Sequence, residues 1–450
     1  FGSRCAPRSL LGEPIDAMAK TDPLDESEPL VLADGSSREE TDFDASTTDE
    51  DEKGCACTPA TVLASVFGGC CCFHVLVFCI LIYVGWLQVS KAHNTSGWHD
   101  ARVTPPEFPR YMGCGGCTAG VKDNAAIKAC VEPCFGLDFV LGWEAFAKSH
   151  PWKLVYFPSR PGPKGEPPVN ISAWWLPADT SRLPPGQIPP RVVALHGLAS
   201  NNNHCGVQSA CYFLRTMGFS CLTPSVRDYG LSGPSTHPGI MTWAYDYPAD
   251  LLGGWDYAVK DPDGKLGGPV PPDQVGIMGF SKGALATAIA FSLEKRIPGA
   301  WIDSAPYTGL YGMIGAVIKP YAGILTPLIR QPVWMGAQAF SPVPLDYYNP
   351  VEMFRNCSAP RRHVAVAHGK NDDTVPAETA APAIFELGAR PECYDLWIFT
   401  PHEQCDGARH HVEMWQYPNK TRTRFCHFWG HVFKRKNTSM CGLNRWTKGT

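Results

Sequence analysis

Ser281 sits in Gly279-Phe280-Ser281-Lys282-Gly283, directly after the apolar run 275–280 and directly before the small-residue run 284–293. A serine hydroxyl is a poor nucleophile until a base takes its proton and a third group orients that base. The pentapeptide therefore calls for an acid and a histidine further along the chain. Asp372 is the expected acid, in the polar turn His368-Gly369-Lys370-Asn371-Asp372-Asp373-Thr374-Val375-Pro376 that closes the apolar run 364–367. Asp373 is the alternative. The base is one of the adjacent pair His410 and His411, with His410 preferred. His196-Gly197-Leu198 follows another apolar run, 191–195. There the amide of Leu198, with that of Lys282, is placed to hold a tetrahedral oxyanion, since backbone donors are fixed before charge develops. The side chain of Lys282 has no part in that role and reads as solvated or as lining a substrate entrance. No metal and no organic cofactor is required by this chemistry.

These residues need a scaffold that brings distant segments to one edge. A strand that turns sharply into a helix would hold Ser281 in a strained conformation, and small neighbours at 279 and 283 allow that turn. Further strands are expected at 153–157, 169–176, 191–195, 219–223, 299–303, 363–367 and 394–399. An amphipathic helix is expected at 250–260 and a C-terminal one at 418–433. Short buried strands separated by helices imply a mostly parallel sheet covered on both faces.

Six segments together resemble the α/β-hydrolase superfamily, in its serine aminopeptidase-like and prolyl-oligopeptidase-like branch. They are His196-Gly197, Arg227-Asp228-Tyr229-Gly230-Leu231-Ser232-Gly233, the Ser281 pentapeptide, Ile302-Asp303-Ser304-Ala305, His368-Gly369 with Asp372 and Val375-Pro376, and Gly407-Ala408 with His410. The resemblance covers roughly 150–435 and implies the order Ser281, Asp372, His410. It also implies a mostly parallel central sheet flanked by helices, with a small cap at about 305–360. In that family Gly-x-x-His is followed by Pro eight residues later, which fits His410 and Pro418; a His-Val-Glu variant would choose His411. Lys282 stands where a neutral residue is more usual, and Ser225 where an Asp often precedes the Arg-x-x-Gly turn. Aromatics of the cap region, Tyr307, Tyr311, Tyr321 and Trp334, are candidates to line an acyl or side-chain pocket.

Composition sets the surroundings. Residues 1–53 carry 5 Lys/Arg against 15 Asp/Glu, leaving 34 against 28 in the rest of the 450-residue chain. Residues 1–58 read as a disordered acidic tail. The stretch 59–89 is apolar and long enough to span a bilayer as a signal-anchor helix. Residues 90–135 read as a Cys-rich stalk, 136–435 as the catalytic domain and 436–450 as a C-terminal tail. The chain starts at Phe1 rather than Met, and a missing N-terminal piece is expected. Lys53 and Lys91 flank the apolar stretch from opposite sides, with Arg102 slightly further out, so the positive-inside rule decides nothing or slightly favours a cytosolic C-terminus. Glycosylation sequons at Asn94, Asn170, Asn356, Asn419 and Asn437 all follow it and favour a lumenal or extracellular domain. Twelve cysteines also follow it and could pair as disulfides. Cys114, Cys117, Cys130 and Cys134 fit a zinc site in a reducing compartment and two disulfides in an oxidising one; the sequons favour the second.

The expectation is a single-pass membrane serine hydrolase that cleaves a carboxylic ester or acyl group through an acyl-enzyme. A small aminopeptidase-like peptidase or a thioesterase would use the same residues. The segment between anchor and core is too short for the propeller of larger membrane peptidases. A non-catalytic binding ectodomain is disfavoured because every required residue type is present. The expected partners are a small ester, acyl or peptide substrate and the membrane. The absence of a long Lys/Arg run argues against nucleic acid.

Overall fold

The computed structural model describes residues 59–90 and most of 152–434, the intervals 199–200, 203–204, 352–361, 381–393, 401–409, 411–413 and 415–416 and the single residues 184 and 373 excepted, together with Phe146 and Ser149. The acidic tail, the stalk with its four cysteines, the C-terminal tail, Asp373, His411, Asn94, Asn356 and Asn437 lie outside the described residues. Two units divide at Leu63 and Ala64. The first contributes only the opening of helix α1 (Pro59–Ser90). The rest of this description concerns the second.

Its eight strands are β1 (Lys153–Pro158), β2 (Asn170–Leu176), β3 (Arg191–Leu195), β4 (Ser220–Pro224), β5 (Val275–Phe280), β6 (Gly299–Asp303), β7 (His363–Gly369) and β8 (Tyr394–Phe399). They form one sheet in the order β1-β2-β4-β3-β5-β6-β7-β8. The pairs β1–β2 and β2–β4 are antiparallel. From β4 across to β8 every pairing is parallel. This twisted, mostly parallel sheet, with helices on both faces and a nucleophile-type turn after its central strand, is the α/β-hydrolase fold.

The helices are α2 (Cys205–Thr216), α3 (Tyr247–Lys260), α4 (Lys282–Leu293), α5 (Gly309–Ala322), α6 (Thr326–Phe340) and α7 (Pro418–Val432). Strand residues alternate between two cores, as a period of two requires. Val193, Leu195, Ile277 and Ile302 face one way, toward Trp255 of α3 and the alanines of α4. Val192, Ala194, Met278 and Trp301 face the other, toward α2 and Trp429 of α7. Because both faces are covered, β3, β5 and β6 are buried along their whole length, which explains their unbroken apolar runs.

Helix α3 starts at Tyr247, earlier than its apolar periodicity suggests, since Pro248 fits a first helical turn. Helix α2 was not among the expected elements although its sequence is amphipathic; a disulfide between Cys211 and Cys221 ties it to β4. Register fixes what matters for the site. Leu195 pairs with Gly279, Phe280 with Asp303, Asp303 with Ala367, and Gly369 with Phe399. The C-terminal ends of β3, β5, β6, β7 and β8 therefore lie level, and the segments leaving them share one edge.

Candidate active site

Ser281 has φ 53° and ψ −121° and sits between β5 and α4. A non-glycine residue at positive φ costs on the order of 1–3 kcal/mol and persists only where its surroundings impose it. The Ser281 amide donates to the Asp303 carbonyl at 2.8 Å, which pins the turn to β6. A Cβ at Gly279 would overlap Thr287 Oγ1 and the Gly283 carbonyl, and one at Gly283 would overlap the His196 carbonyl. Both flanking glycines are therefore required by the close approach of strand, helix and neighbouring loop.

Asp372 lies in the turn after β7 and His410 beyond β8, both buried. His410 Nδ1 donates to Asp372 Oδ2 at 2.6 Å. The other carboxylate oxygen, Oδ1, accepts from the amides of Thr374 at 2.9 Å and Val375 at 2.8 Å. The carboxylate is thus aimed by its own turn. His368, at the end of β7, braces that turn by donating from Nε2 to the Val375 carbonyl at 2.9 Å. Burial lowers the pKa of His368, which favours its neutral form. Sequence reasoning assigned His368 no task; its place four residues before Asp372 on a strand end was the available signal.

The loop after β3 borders the serine directly. A Cβ on Gly197 would stand 3.2 Å from the Cβ of Ser281. His196 is buried. Its Nδ1 donates to the Gly197 carbonyl at 2.9 Å and its Nε2 accepts from the Val226 amide at 3.2 Å. Leu198 follows at the surface, and Lys282 opens α4.

The side chain of Lys282 corrects the expectation of a solvated or entrance lysine. It is buried, with Nζ donating to Tyr229 Oη at 3.0 Å and lying 4.1 Å above the centre of the Tyr247 ring. Burial holds its pKa well below the ordinary lysine value. Residue 282 points inward because the turn after Ser281 directs it beneath the loop Arg227-Asp228-Tyr229-Gly230. That loop is held in turn by Arg227, whose guanidinium donates to Asp250 at 2.7 Å and Asp246 at 3.2 Å, all three buried. Tyr229, Tyr247 and the Asp246–Asp250 pair were not singled out from sequence, since only the fold brings 229, 247 and 282 together.

A cavity of about 440 Å³ is lined by Trp243 and Tyr307, by Leu285 one turn along α4 from Ser281, by Leu310 and Tyr311 on α5, and by Trp334 on α6, among others; Ser281, Asp372 and His410 do not line it. Tyr307, Tyr311 and Trp334 were expected at a pocket; Tyr321 is not, standing almost fully exposed. Of the two described sequons, Asn170 opens β2 and Asn419 lies in the first turn of α7, both exposed.

Fold and site together place the chain in the structural class of α/β-hydrolases. No family model and no curated protein matches the sequence. Solved structures similar in fold include the esterase Pf2001 of Pyrococcus furiosus, at 20% identity and TM-score 0.42, covering 63% of this chain and 90% of that one. A puromycin-hydrolyzing peptidase of Mycobacterium tuberculosis matches at 17% identity and TM-score 0.42, covering 62% of this chain and 39% of the other. Est1E of Butyrivibrio proteoclasticus matches at 15% identity and TM-score 0.37, covering 60% and 98%. The strand order, rather than these likenesses, defines the fold.

Proposed function

We propose that this protein is a membrane-anchored serine hydrolase that cleaves a carboxylic ester or acyl group. The observation that carries the reading is the His410–Asp372 hydrogen bond, formed at the sheet edge that also presents Ser281 in a strained elbow. Ser281 Oγ attacks the substrate carbonyl carbon while His410 takes the hydroxyl proton. Asp372 holds Nδ1–H, which makes Nε2 the basic nitrogen, and it stabilises the imidazolium that forms. The amides of Leu198 and Lys282 hold the oxyanion. Collapse of the tetrahedral intermediate expels the leaving group, which receives the proton from His410. Water, deprotonated by His410, then cleaves the acyl-enzyme and regenerates Ser281. Helix α1 supports the anchor: its 32 residues rise about 48 Å, more than the ~30 Å of a hydrocarbon core. Exposed Phe73, Leu76, Phe78 and Ile80 on α1 also suit lipid. The exposed sequons support a lumenal or extracellular catalytic domain.

A panel of p-nitrophenyl esters, acyl thioesters and aminoacyl amides, assayed with wild type and Ser281→Ala, tests the reading. Ester turnover that disappears with Ser281→Ala is expected. Selective turnover of thioesters or aminoacyl amides would move the protein to the thioesterase or peptidase class. Turnover that persists without Ser281 would end the serine mechanism.

A further inference from the structure

Helices α5 and α6 form a hairpin over the cavity, and its outer surface is unusual. The segment Gly309–Phe340 is long and apolar enough to cross a membrane, yet only 22% of its most apolar stretch is buried inside the protein. It does not run straight. Pro320 interrupts α5, Gly323 takes φ 52°, and the chain turns back into α6. Tyr311 meets Trp334 edge to face at 5.7 Å, and a Cβ on Gly315 would touch Arg330. These pairings make the two helices antiparallel, with the tip near Gly323. At that tip Tyr321 is 90% exposed, Ile324 94%, Leu325 53% and Leu328 70%. Monomeric surfaces rarely carry such a contiguous apolar patch without a partner.

The geometry of α1 says what the partner is. α1 crosses α6 in backbone contact: a Cβ on Gly85 would overlap the Val333 carbonyl, and one on Gly336 the Ile82 carbonyl. Ile82 lies at Gly336 and Trp86 packs edge to face on Phe340 at 6.4 Å. Cα–Cβ bonds tilt toward a helix N-terminus. Gly85 meets Val333, three before Gly336, and Gly336 meets Ile82, three before Gly85, so the helices run parallel with Gly85 level with Gly336. Retreating from Gly336 to the start of α6 covers about 15 Å at 1.5 Å per residue, and the same retreat along α1 from Gly85 reaches the region of Val75. The exposed tip therefore stands level with the exposed apolar side chains Phe73, Val75, Leu76 and Phe78 of α1. A convex knob with almost fully exposed side chains has no groove to seat a folded partner. It suits a fluid apolar medium. Lys319, paired with Glu378 at 3.1 Å and exposed, sits one turn before the tip and limits entry to the residues beyond it.

We infer that the α5–α6 tip inserts into the bilayer that α1 enters, so that the cap docks on the lipid surface. The inner faces of the same helices, through Leu310, Tyr311 and Trp334, line a cavity that Leu285, one turn along α4 from Ser281, also borders. Docking would then deliver ester substrates from the membrane rather than from water; the docking rests on the anchor reading of α1, and this second part on the hydrolase reading as well.

The test uses the full chain reconstituted in phosphatidylcholine vesicles containing a tritiated, otherwise identical lipid. Benzoylphenylalanine replaces Ile324 in one preparation and Leu396, exposed on β8, in another. After irradiation, tritium should become covalently attached at 324 and not at 396. No lipid adduct at 324, equal adducts at both positions, or crosslinking of 324 to a second copy or another protein would overturn the inference. For delivery, Ile324→Asp with Leu328→Asp should slow hydrolysis of a vesicle-embedded long-chain ester at least about a hundredfold, as loss of insertion of two large aliphatic side chains implies. Hydrolysis of a short water-soluble ester should stay at the wild-type rate, and an equal loss on both substrates would overturn delivery. If wild type cleaves no ester at all, the hydrolase reading fails while the crosslink still decides the docking.

Discussion

His410 and Asp372, 38 residues apart and on loops following different strands, are joined by a 2.6 Å hydrogen bond from imidazole Nδ1 to carboxylate Oδ2. The same carboxylate is held on its other oxygen by two amides of its own turn. Its orientation is therefore set before any substrate arrives.

Replacing that carboxylate by an amide of the same shape should break function without breaking structure. Asp372→Asn lets His410 Nδ1 accept a hydrogen bond and puts the proton on Nε2, the wrong tautomer. In the proposed mechanism kcat should fall about 10⁴-fold with little change in KM. Steady-state kinetics on a p-nitrophenyl ester read this directly, and a loss confined to KM would show that Asp372 acts only in substrate binding.

Gly283 offers a test of the elbow's packing. Gly283→Ala must push its Cβ against the His196 carbonyl, which cannot rotate away. The expected cost is about 1–3 kcal/mol of stability, with activity falling about a hundredfold as the serine is displaced. Gly430, inside α7 with open space around it, is the contrasting site. Gly430→Ala should stabilise the protein by up to about 1 kcal/mol through helix propensity. Thermal midpoints of both variants check the pair, and similar midpoints would contradict the packing account.

Lys282 predicts a pH dependence of stability. Burial depresses its folded-state pKa, so the unfolded chain binds the proton more readily. Its contribution is complete above the unfolded value of about 10.4 and is lost as pH falls from there toward the depressed folded value. Lys282→Met fills similar space and has no proton to bind. The stability of wild type relative to Lys282→Met should therefore rise with pH between 7 and 10.4, measured by thermal midpoints in detergent. A difference that does not change with pH would mean that the lysine is solvated.

Glu294 supplies the acid-side counterpart. Hydrogen bonding from Arg296, reinforced by Arg160, holds its pKa at about 2. A depressed carboxylate contributes stability that is present above the unfolded value and is lost as pH falls through the folded one. Arg296 is more than half exposed, so solvent screens the pair, and Glu294→Gln should remove about 1–2 kcal/mol of stability near neutral pH. Most of that difference should vanish between about pH 4.3 and pH 2. Denaturant titrations at pH 6 and pH 2 test this; an equal difference at both would assign the effect to packing.

What could be read from the chain alone was governed by locality. Strands β3, β5 and β6 announce themselves because a sheet covered on both faces demands continuous apolar runs. The Ser281 turn does so because Gly279 and Gly283 are imposed by contacts within a few residues of chain or at the next strand. Asp372 and His410 were reachable as residues following strand ends in the required order. Lys282 was misread for the opposite reason. Its surroundings come from Tyr229 and Tyr247, which no local pattern connects to residue 282, and a lysine beside a nucleophile reads as solvated unless the fold is known. The exposure of Tyr321 and Ile324 was hidden likewise, since an apolar cap helix looks the same in sequence whether its outer face is covered or bare.

The most direct test of the central claim is covalent labelling by a fluorophosphonate probe on the full-length protein in detergent. Stoichiometric attachment to the peptide containing Ser281, abolished by Ser281→Ala and strongly slowed by His410→Ala, is the result expected of an activated serine with His410 as its base. Failure of the wild-type protein to label, or labelling that survives Ser281→Ala, would contradict it.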